Sequence, residues 1–178
     1  MDKKYELTDE KIETLGTTLY RIRALRDISA FDVKAGDLGG FIEKEENLSH
    51  DGDAWVYGDA WVYGDAWVCG DARVCGDARV YGDARVYGNA RVYGNARVCG
   101  DARVYGNADI MWLSKIGSRL GTTTVFKAKD GNIKVTCGCF YGSLDEFDKK
   151  VEKTHGNNRY GKEYKAFIEL VKIHFKEN

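Results

Sequence analysis

Residues 52–108 read GDAWVYGDAWVYGDAWVCGDARVCGDARVYGDARVYGNARVYGNARVCGDARVYGNA and repeat one six-residue word without a gap. Each word opens with glycine and aspartate or asparagine, followed by alanine, a variable residue, valine and a second variable residue. The tenth word has Ile110 in the place of valine. A short fixed period indicates a repeat architecture and is therefore interpreted first. The glycines that open the ten words are Gly52, Gly58, Gly64, Gly70, Gly76, Gly82, Gly88, Gly94, Gly100 and Gly106.

The word favours a short strand over a helix. Glycine at every sixth position costs about 1 kcal/mol relative to alanine in a helix interior. In a strand, successive side chains point to opposite faces, so alanine and valine share one face and the two variable residues share the other. The Gly-Asp or Gly-Asn pair then forms a turn, because these residue types tolerate positive φ. The repeat therefore predicts short strands joined by equivalent turns, with alanine and valine in a dry interior.

One word per side and three sides per coil give a triangular prism with eighteen residues in each coil. The stretch VYGDAR is similar to the repeat of hexapeptide-repeat proteins, in which a small residue follows an aliphatic residue by four positions. The resemblance spans about 60 residues and implies a left-handed parallel β-helix, whose handedness comes from the resemblance alone. Ten words make a little over three coils, and a spacing of about 4.8 Å between stacked strands gives a height of roughly 15 Å. The interior is expected to be too narrow for a ligand.

The variable residues form columns on the outside of the predicted prism, because residues eighteen positions apart stack above one another. The first coil carries three tryptophans and the next two coils carry three arginines each. A guanidinium one rung from an indole can stack on it, which is worth about 0.5–1 kcal/mol when exposed. We define the first wall (Trp55, Arg73, Arg91), the second wall (Trp61, Arg79, Arg97) and the third wall (Trp67, Arg85, Arg103). The predicted binding surface consists of these nine residues and Tyr63, Tyr81, Tyr87 and Tyr93.

Two interpretations of this surface are open. Tryptophan, tyrosine and arginine suit strand surfaces and pair across neighbouring strands, so the columns can be purely structural. The same residue types are enriched at interface hot spots, and exposed aromatic patches mark interaction sites. Related prisms commonly pack side by side as trimers, which favours self-association into a homotrimer. A host protein or a nucleotide that stacks on a wall is the other predicted partner.

Composition narrows the function classes. The chain has 178 residues, 27 basic and 28 acidic residues, and a net charge of −1, so there is no strong nucleic-acid signal. No apolar run approaches the roughly 20 residues that span a bilayer, and no signal peptide is expected, so no membrane partner is predicted. Five cysteines, an odd number, favour a reducing cytoplasm. No cofactor is predicted.

Catalysis is the main competing hypothesis, because many hexapeptide-repeat proteins are acyltransferases. The resemblance implies a histidine base at a subunit groove and a loop that leaves the coil, but the ten words contain neither. The histidines are His50, His155 and His174, and all lie outside the words. A related carbonic-anhydrase branch needs three histidines around zinc, which this sequence does not supply. We therefore predict no catalytic and no metal-binding residues, with His50 as the one candidate base if acyl transfer occurs.

Residues 1–51 are predicted to form an N-terminal β cap with an irregular first coil. Alternation around Thr8–Gly16 indicates a β-hairpin. In the following stretch, 36–49, we expect Leu38, Ile42 and Leu48 to point inward. This leader followed by GDAWVYG resembles the start of bacterial and bacteriophage hexapeptide-repeat proteins, often named as transferases or polymer-forming proteins. That resemblance covers nearly the whole chain and implies fold and context more than chemistry.

After the β-helix of residues 52–111, residues 112–178 are predicted to form a ββαα cap. A hairpin is expected to turn at Asp130-Gly131, and Ser143 with Glu146 matches a helix capping box. Apolar spacing predicts a second helix over 160–175. Cys137 and Cys139 are expected on one side of a strand as buried structural thiols, because a metal site needs about four ligands and no other is close in sequence. Caps at both ends argue against end-to-end filaments.

The sequence therefore predicts a mainly β protein with a left-handed parallel β-helix between two caps. The favoured function is a non-catalytic binding or scaffold protein, homotrimeric, from a phage or prophage. A specific version is that it sequesters or blocks a host factor or a nucleotide signal. The alternatives are a hexapeptide-repeat acyltransferase that uses acetyl-CoA and a virion or assembly component.

Overall fold

The protein has a mainly β structure, as the alternation within the hexamers predicts. The computed structural model describes residues 3–14 and 16–176. A parallel β-solenoid lies between an N-terminal hairpin and a C-terminal cap of four strands and two helices. The elements are β1 (Tyr5–Thr14), β2 (Thr17–Ala24), β3 (Leu38–Ile42), β4 (Trp55–Val56), β5 (Trp61–Val62), β6 (Trp67–Val68), β7 (Arg73–Val74), β8 (Arg79–Val80), β9 (Arg85–Val86), β10 (Arg91–Val92), β11 (Arg97–Val98), β12 (Arg103–Val104), β13 (Ile110–Ile116), β14 (Gly121–Lys127), β15 (Ile133–Cys137), β16 (Phe140–Ser143), α1 (Leu144–His155) and α2 (Arg159–Lys176).

The solenoid has the predicted eighteen-residue coil. Strands β4, β7 and β10 pair in parallel on the first wall, and β6, β9 and β12 do so on the third wall. The second wall carries β5, β8 and β11 with β3 stacked on its N-terminal side. Every repeat alanine from Ala54 to Ala102 and every valine from Val56 to Val104 is at most 1% exposed. The predicted dry interior of alanine and valine is therefore confirmed.

The corners of the solenoid depend on glycine. Nine repeat glycines, from Gly52 to Gly100, adopt φ between 57° and 71°, a region that side chains with a Cβ rarely adopt. At Gly88 a Cβ atom would lie 2.1 Å from the carbonyl oxygen of Tyr105 in the next coil. The corner therefore requires glycine both for its backbone conformation and for the close approach of the coil above it.

The N-terminal cap continues the second-wall sheet. The predicted hairpin is confirmed as β1 and β2, which turn between Thr14 and Thr17, and β2 pairs antiparallel with β3. In the irregular coil, Ile42 and Leu48 are buried as expected. The expectation for Leu38 is wrong, because this side chain is 52% exposed. The backbone packs against the coil at Gly39, where a Cβ would lie 2.6 Å from the oxygen of Val56, and Leu38 precedes that contact.

Two buried polar side chains close the N-terminal end of the solenoid. The Lys4 amino group donates hydrogen bonds to the carbonyl oxygens of Gly52 (3.3 Å) and Ala54 (2.8 Å). The Asn47 amide donates to the carbonyl oxygens of Gly64 (3.0 Å) and Ala66 (2.8 Å). Both side chains are fully buried, so they satisfy the buried carbonyl groups of Ala54 and Ala66 in the first regular coil.

The C-terminal cap is an antiparallel sheet of order β13-β14-β15-β16 covered by α1 and α2. The predicted hairpin is confirmed as β14 and β15, and the sheet has two further strands, β13 and β16, that the sequence pattern did not predict. The capping box of Ser143 and Glu146 is confirmed, with a hydrogen bond of 3.2 Å from the Glu146 amide to the Ser143 hydroxyl. The cap joins the last coil through a bridge between Ala102 and Ala128. No helix among residues 3–14 and 16–176 is long and apolar enough to cross a membrane.

The substitution Gly88→Ala tests the corner geometry. A left-handed alanine costs about 1–2 kcal/mol, and the clash with the Tyr105 carbonyl adds the cost of overpacking, about 1–3 kcal/mol. Gly16→Ala is the matched control, because Gly16 also has a positive φ (81°) but nothing lies within 4 Å of its added Cβ. Chemical denaturation should show a larger loss of unfolding free energy for Gly88→Ala. Equal losses for the two variants would contradict the packing of the corners.

The substitution Lys4→Met tests the buried amino group. Burial, with a smaller effect from the positive charge of Arg26, lowers the pKa of Lys4 from 10.5 to about 8. Between those values the unfolded chain holds a proton that the folded chain has released, so the stability of the wild type relative to Lys4→Met rises with pH. The slope should approach about 1.4 kcal/mol per pH unit. Denaturant titrations from about pH 7 to about pH 10 measure it, and a flat difference across that range would contradict the burial.

Candidate functional site

The three walls bring the predicted surface residues into register. On the first wall Trp55 pairs with Arg73 and Arg73 with Arg91. The second and third walls repeat this arrangement with their own tryptophan and two arginines. Each outer column is therefore a ladder whose rungs are one strand spacing apart, about 4.8 Å.

Stacking between tryptophan and arginine is present on two walls. The Arg79 guanidinium carbon lies 3.9 Å from the centre of the Trp61 ring. The corresponding distance from Arg85 to Trp67 is 5.6 Å, which is also within cation–π range. The guanidinium plane of the second coil therefore lies over the indole of the first coil on these walls.

The first wall differs from the prediction. Trp55 is only 1% exposed, because Tyr5 of the N-terminal cap packs against it with ring centres 6.3 Å apart. Its assignment to a displayed binding surface is therefore wrong. Arg73 instead stacks on Phe31 at 3.8 Å and donates a hydrogen bond to the carbonyl oxygen of Ala30. Phe31 lies outside the repeat, so the eighteen-residue period carried no signal for this contact.

The tyrosines form a second outer column on each wall. Tyr63 and Tyr81 stack with parallel rings 5.1 Å apart, and Tyr87 contacts Tyr105 edge-on at 3.9 Å. Tyr93 is 50% exposed and packs perpendicular to Trp112, with ring centres 4.4 Å apart. Trp112 follows the repeat on β13 and was not among the predicted surface residues. Its position could have been suspected only from its proximity in sequence to the last coil.

The wall arginines lack carboxylate partners. Among the described residues, ion pairs within 4.0 Å join arginine to a carboxylate at Arg21, Arg23 and Arg159, and at none of the six wall positions. Arg103 donates instead to the carbonyl oxygens of three residues, and Arg91 is exposed. The corner aspartates therefore balance the overall charge without neutralising the ladders locally.

The C-terminal cap forms clefts where it adjoins two of the walls. The first-wall cleft has a volume of about 470 Å³ and lies between Arg73, Arg91, Tyr93 and Trp112, with Cys75 also lining it. Burial raises the pKa of the Cys75 thiol, an effect that the two arginines oppose. The base of this cleft is the end of the first-wall ladder, where the Asn107 side chain accepts a hydrogen bond from the Arg91 amide.

The second-wall cleft has a volume of about 350 Å³. Arg79 and Arg97 line it from the solenoid, and Arg119 lines it from the turn between β13 and β14. Asp77 contributes one carboxylate at the corner, and the lining residues include no aromatic side chain. This cleft is therefore a more purely cationic depression than the first-wall cleft.

The histidines occupy structural positions. The His50 ring stacks on Tyr5 at 4.4 Å, and its Nδ1 accepts a hydrogen bond from the Lys4 amide. His155 stacks on Tyr164 at 5.7 Å in the C-terminal cap, and His174 contacts a neighbouring phenylalanine on α2. No group of three or more potential metal ligands occurs among the residues that the structure describes.

Cys137 and Cys139 have different environments. Cys137 ends β15, accepts a hydrogen bond from the Thr123 hydroxyl at 3.2 Å, and lies 3.7 Å from the Tyr164 hydroxyl. Cys139 lies in the turn before β16 and is exposed. The expectation of buried thiols is therefore wrong for Cys139, because β15 ends before reaching it. Both side chains line a shallow apolar depression between the sheet and α1.

Comparison with known proteins supports the solenoid. A family model described as "YdcK Beta solenoid repeat" matches residues 72–87, 84–100 and 96–108. The matched residues include all six arginines of the walls. No curated protein matches the chain. The match supports a repeat β-solenoid of this kind.

Thiol reactivity tests the burial of the wall side chains. Cys99 is 6% exposed and burial raises its pKa, whereas Cys139 is exposed. Because the thiolate is the reactive form, iodoacetamide should modify Cys139 first and Cys99 last. Peptide mass spectrometry over time gives the order, and unfolding in urea should abolish it. Rapid modification of Cys99 in the folded protein would contradict the packing of the second wall.

Proposed function

We propose that this protein is a non-catalytic binding protein whose solenoid walls hold an anionic ligand. One observation carries the proposal: six arginines on the walls have no carboxylate partner among the described residues. Arginine presents planar, directional donors that match phosphate and carboxylate oxygens. An unneutralised arginine ladder is therefore a surface suited to an anion.

Electrostatics supports the same conclusion. Two unit charges about 4–5 Å apart repel each other by about 1 kcal/mol even with the dielectric constant of water. Each wall pairs the backbones of its two arginines in adjacent strands, at Arg73 and Arg91 for example, so two positive charges share one narrow face. Stacking on Trp61 and Trp67 offsets part of this cost on the other two walls. A bound anion that contacts both arginines of a wall would offset the rest of this repulsion.

The chemistry of the walls supports binding more than catalysis. The outer columns consist of arginine, tryptophan, tyrosine and cysteine, and the repeat has no histidine to act as a general base. His50, the candidate base for acyl transfer, is stacked on Tyr5 and accepts a hydrogen bond from Lys4. Such a protein would act by occupying or sequestering its ligand. A phage or prophage protein that withholds a host factor or a nucleotide signal fits this role.

Self-association into a homotrimer is part of the proposal. Tyr105 is 60% exposed on the third wall, and a large aromatic side chain at this exposure suits a protein interface. Packing through the third wall would leave the first-wall and second-wall clefts open. A scaffold, virion or assembly component would use the walls for such packing alone.

Inorganic pyrophosphate is the probe that tests the proposed function. The double variant Arg91→Gln/Arg97→Gln removes one exposed arginine from each cleft. The control Arg23→Gln/Arg159→Gln removes the same number of charges from ion pairs away from the walls. Because hydrogen bonds to charged groups contribute about 1.5–3 kcal/mol, calorimetry should show at least about a tenfold loss of affinity in the wall variant only.

The outcomes separate the alternatives. Equal losses in both double variants would indicate unspecific charge attraction and contradict the proposal. No binding by the wild type, together with a trimer in native mass spectrometry, would favour the scaffold or assembly role. Acetylation of a small acceptor in the presence of acetyl-CoA would favour acyl transfer instead.

A further inference from the structure

The first-wall cleft combines cationic and aromatic groups in one depression. Its volume of about 470 Å³ lies within the roughly 300–1,000 Å³ range of small-molecule sites. Arg73 and Arg91 line it from neighbouring coils, and Tyr93 and Trp112 line it from the last coil and from β13. The repeat and the C-terminal cap therefore both contribute to it.

The cationic side has unused hydrogen-bond donors. Arg73 donates through Nη2 to the carbonyl oxygen of Ala30 and its Nε is buried, while its Nη1 has no hydrogen-bond partner among the described residues. Phe31 covers the guanidinium at 3.8 Å and holds it in place. Arg91 is exposed and has no carboxylate partner in the described part of the chain. Two guanidinium groups on adjacent rungs match the oxygens of a phosphate or diphosphate.

The aromatic side offers a surface for a planar group. The Tyr93 and Trp112 rings are perpendicular, at 90°, with centres 4.4 Å apart. A perpendicular pair leaves ring faces that the partner does not cover. Tyr93 is 50% exposed, so part of its surface is available to a ligand. Stacking of a nucleobase on an aromatic side chain contributes about 1–3 kcal/mol.

The other two walls arrange these groups differently. The second-wall cleft has three arginines but no aromatic lining residue, so it offers phosphate contacts without a stacking surface. On the third wall Arg103 donates through Nη1 to the carbonyl oxygens of Asp83, Asp101 and Ala102, which holds the guanidinium against the backbone, and Tyr87 and Tyr105 pack edge-on against each other. The first-wall cleft has both arginines and aromatic rings among the residues that line one depression.

We propose that the first-wall cleft binds one phosphorylated nucleoside, with its phosphates on Arg73 and Arg91 and its base against Tyr93 and Trp112. This inference rests on the proposed function and specifies the ligand class of one wall. A single nucleotide fits better than a strand, because Phe31 lies over Arg73 at one end of the wall and Trp112 packs on Tyr93 at the other. The net charge of −1 also disfavours a polyanionic strand.

Binding of ADP, compared with pyrophosphate, tests the proposal by calorimetry. The wild type should bind ADP at least about tenfold more tightly than pyrophosphate, because only ADP adds a stacked base. Arg91→Gln should weaken ADP binding by about tenfold or more, and should weaken pyrophosphate binding at the first-wall cleft but not at the second-wall cleft. Arg97→Gln, at an exposed arginine in the same coil on the second wall, should weaken ADP binding less than Arg91→Gln does. Arg23→Gln is the matched control, because it removes an arginine that is ion-paired away from the walls, and it should leave ADP binding unchanged.

The aromatic side has its own diagnostic. Trp112→Leu should weaken ADP by about tenfold while leaving pyrophosphate unchanged, a separation that general destabilisation would not produce. Trp112→Phe keeps an aromatic ring and should retain most of the ADP affinity. Bound ADP should also slow the alkylation of Cys75, which lines the cleft, without affecting the exposed Cys139.

Four results would overturn the inference. If ADP binds no more tightly than pyrophosphate, the cleft does not recognise the base. If Arg97→Gln weakens ADP binding as much as Arg91→Gln does, the nucleotide site is not on the first wall. The proposed function would then stand, because the walls still bind an anion. If single-stranded oligonucleotides bind more tightly as their length increases, the ligand is a polymer and not a single nucleotide. Failure of the wild type to bind either ADP or pyrophosphate would overturn both proposals.

Discussion

The structure depends on the hydrogen bonds between successive coils. Each two-residue strand is joined to the strand above it by a short ladder of hydrogen bonds. The Arg73 amide, for example, donates to the carbonyl oxygen of Ala90, and the Cys75 amide donates to the carbonyl oxygen of Val92, both at 2.9 Å. These bonds and the buried alanine and valine leave no freedom in the inward positions or in the period. The outward positions are free to vary in type but not in place. Arginines in successive words therefore have to form ladders, whatever their function.

A ladder of parallel strands has two open ends, and each end of this solenoid is closed differently. At the N-terminal end, Lys4 and Asn47 supply buried donors to carbonyl oxygens of the first regular coil. At the other end the acceptors are side-chain oxygens, with the Arg91 amide donating to Asn107 and the Arg97 amide donating to Thr124. Covered ends disfavour edge-to-edge growth of the ladder.

The repeat period predicts the features within the solenoid but not the contacts that the two caps make with it. The eighteen-residue coil, the inward valines and the stacking of Arg79 on Trp61 follow from local alternation and were predicted. The burial of Trp55 and the contact of Phe31 with Arg73 depend on how a non-repeating segment folds back on the first wall. No spacing rule connects such residues, because their proximity arises from tertiary packing. The aromatic side of the first-wall cleft was missed for the same reason.

The number of hexamers also sets the angular position of the C-terminal cap around the solenoid axis, relative to the N-terminal hairpin. Each hexamer advances the chain by one side, so inserting or deleting a single hexamer would turn the whole cap by a third of a revolution around the solenoid axis. Trp112 would keep its contact with Tyr93, because both belong to the last part of the solenoid and the cap that follows it. What would change is the angle between the C-terminal cap and the N-terminal hairpin. That angle is restored, with only the height altered, when the solenoid gains or loses three hexamers, or eighteen residues.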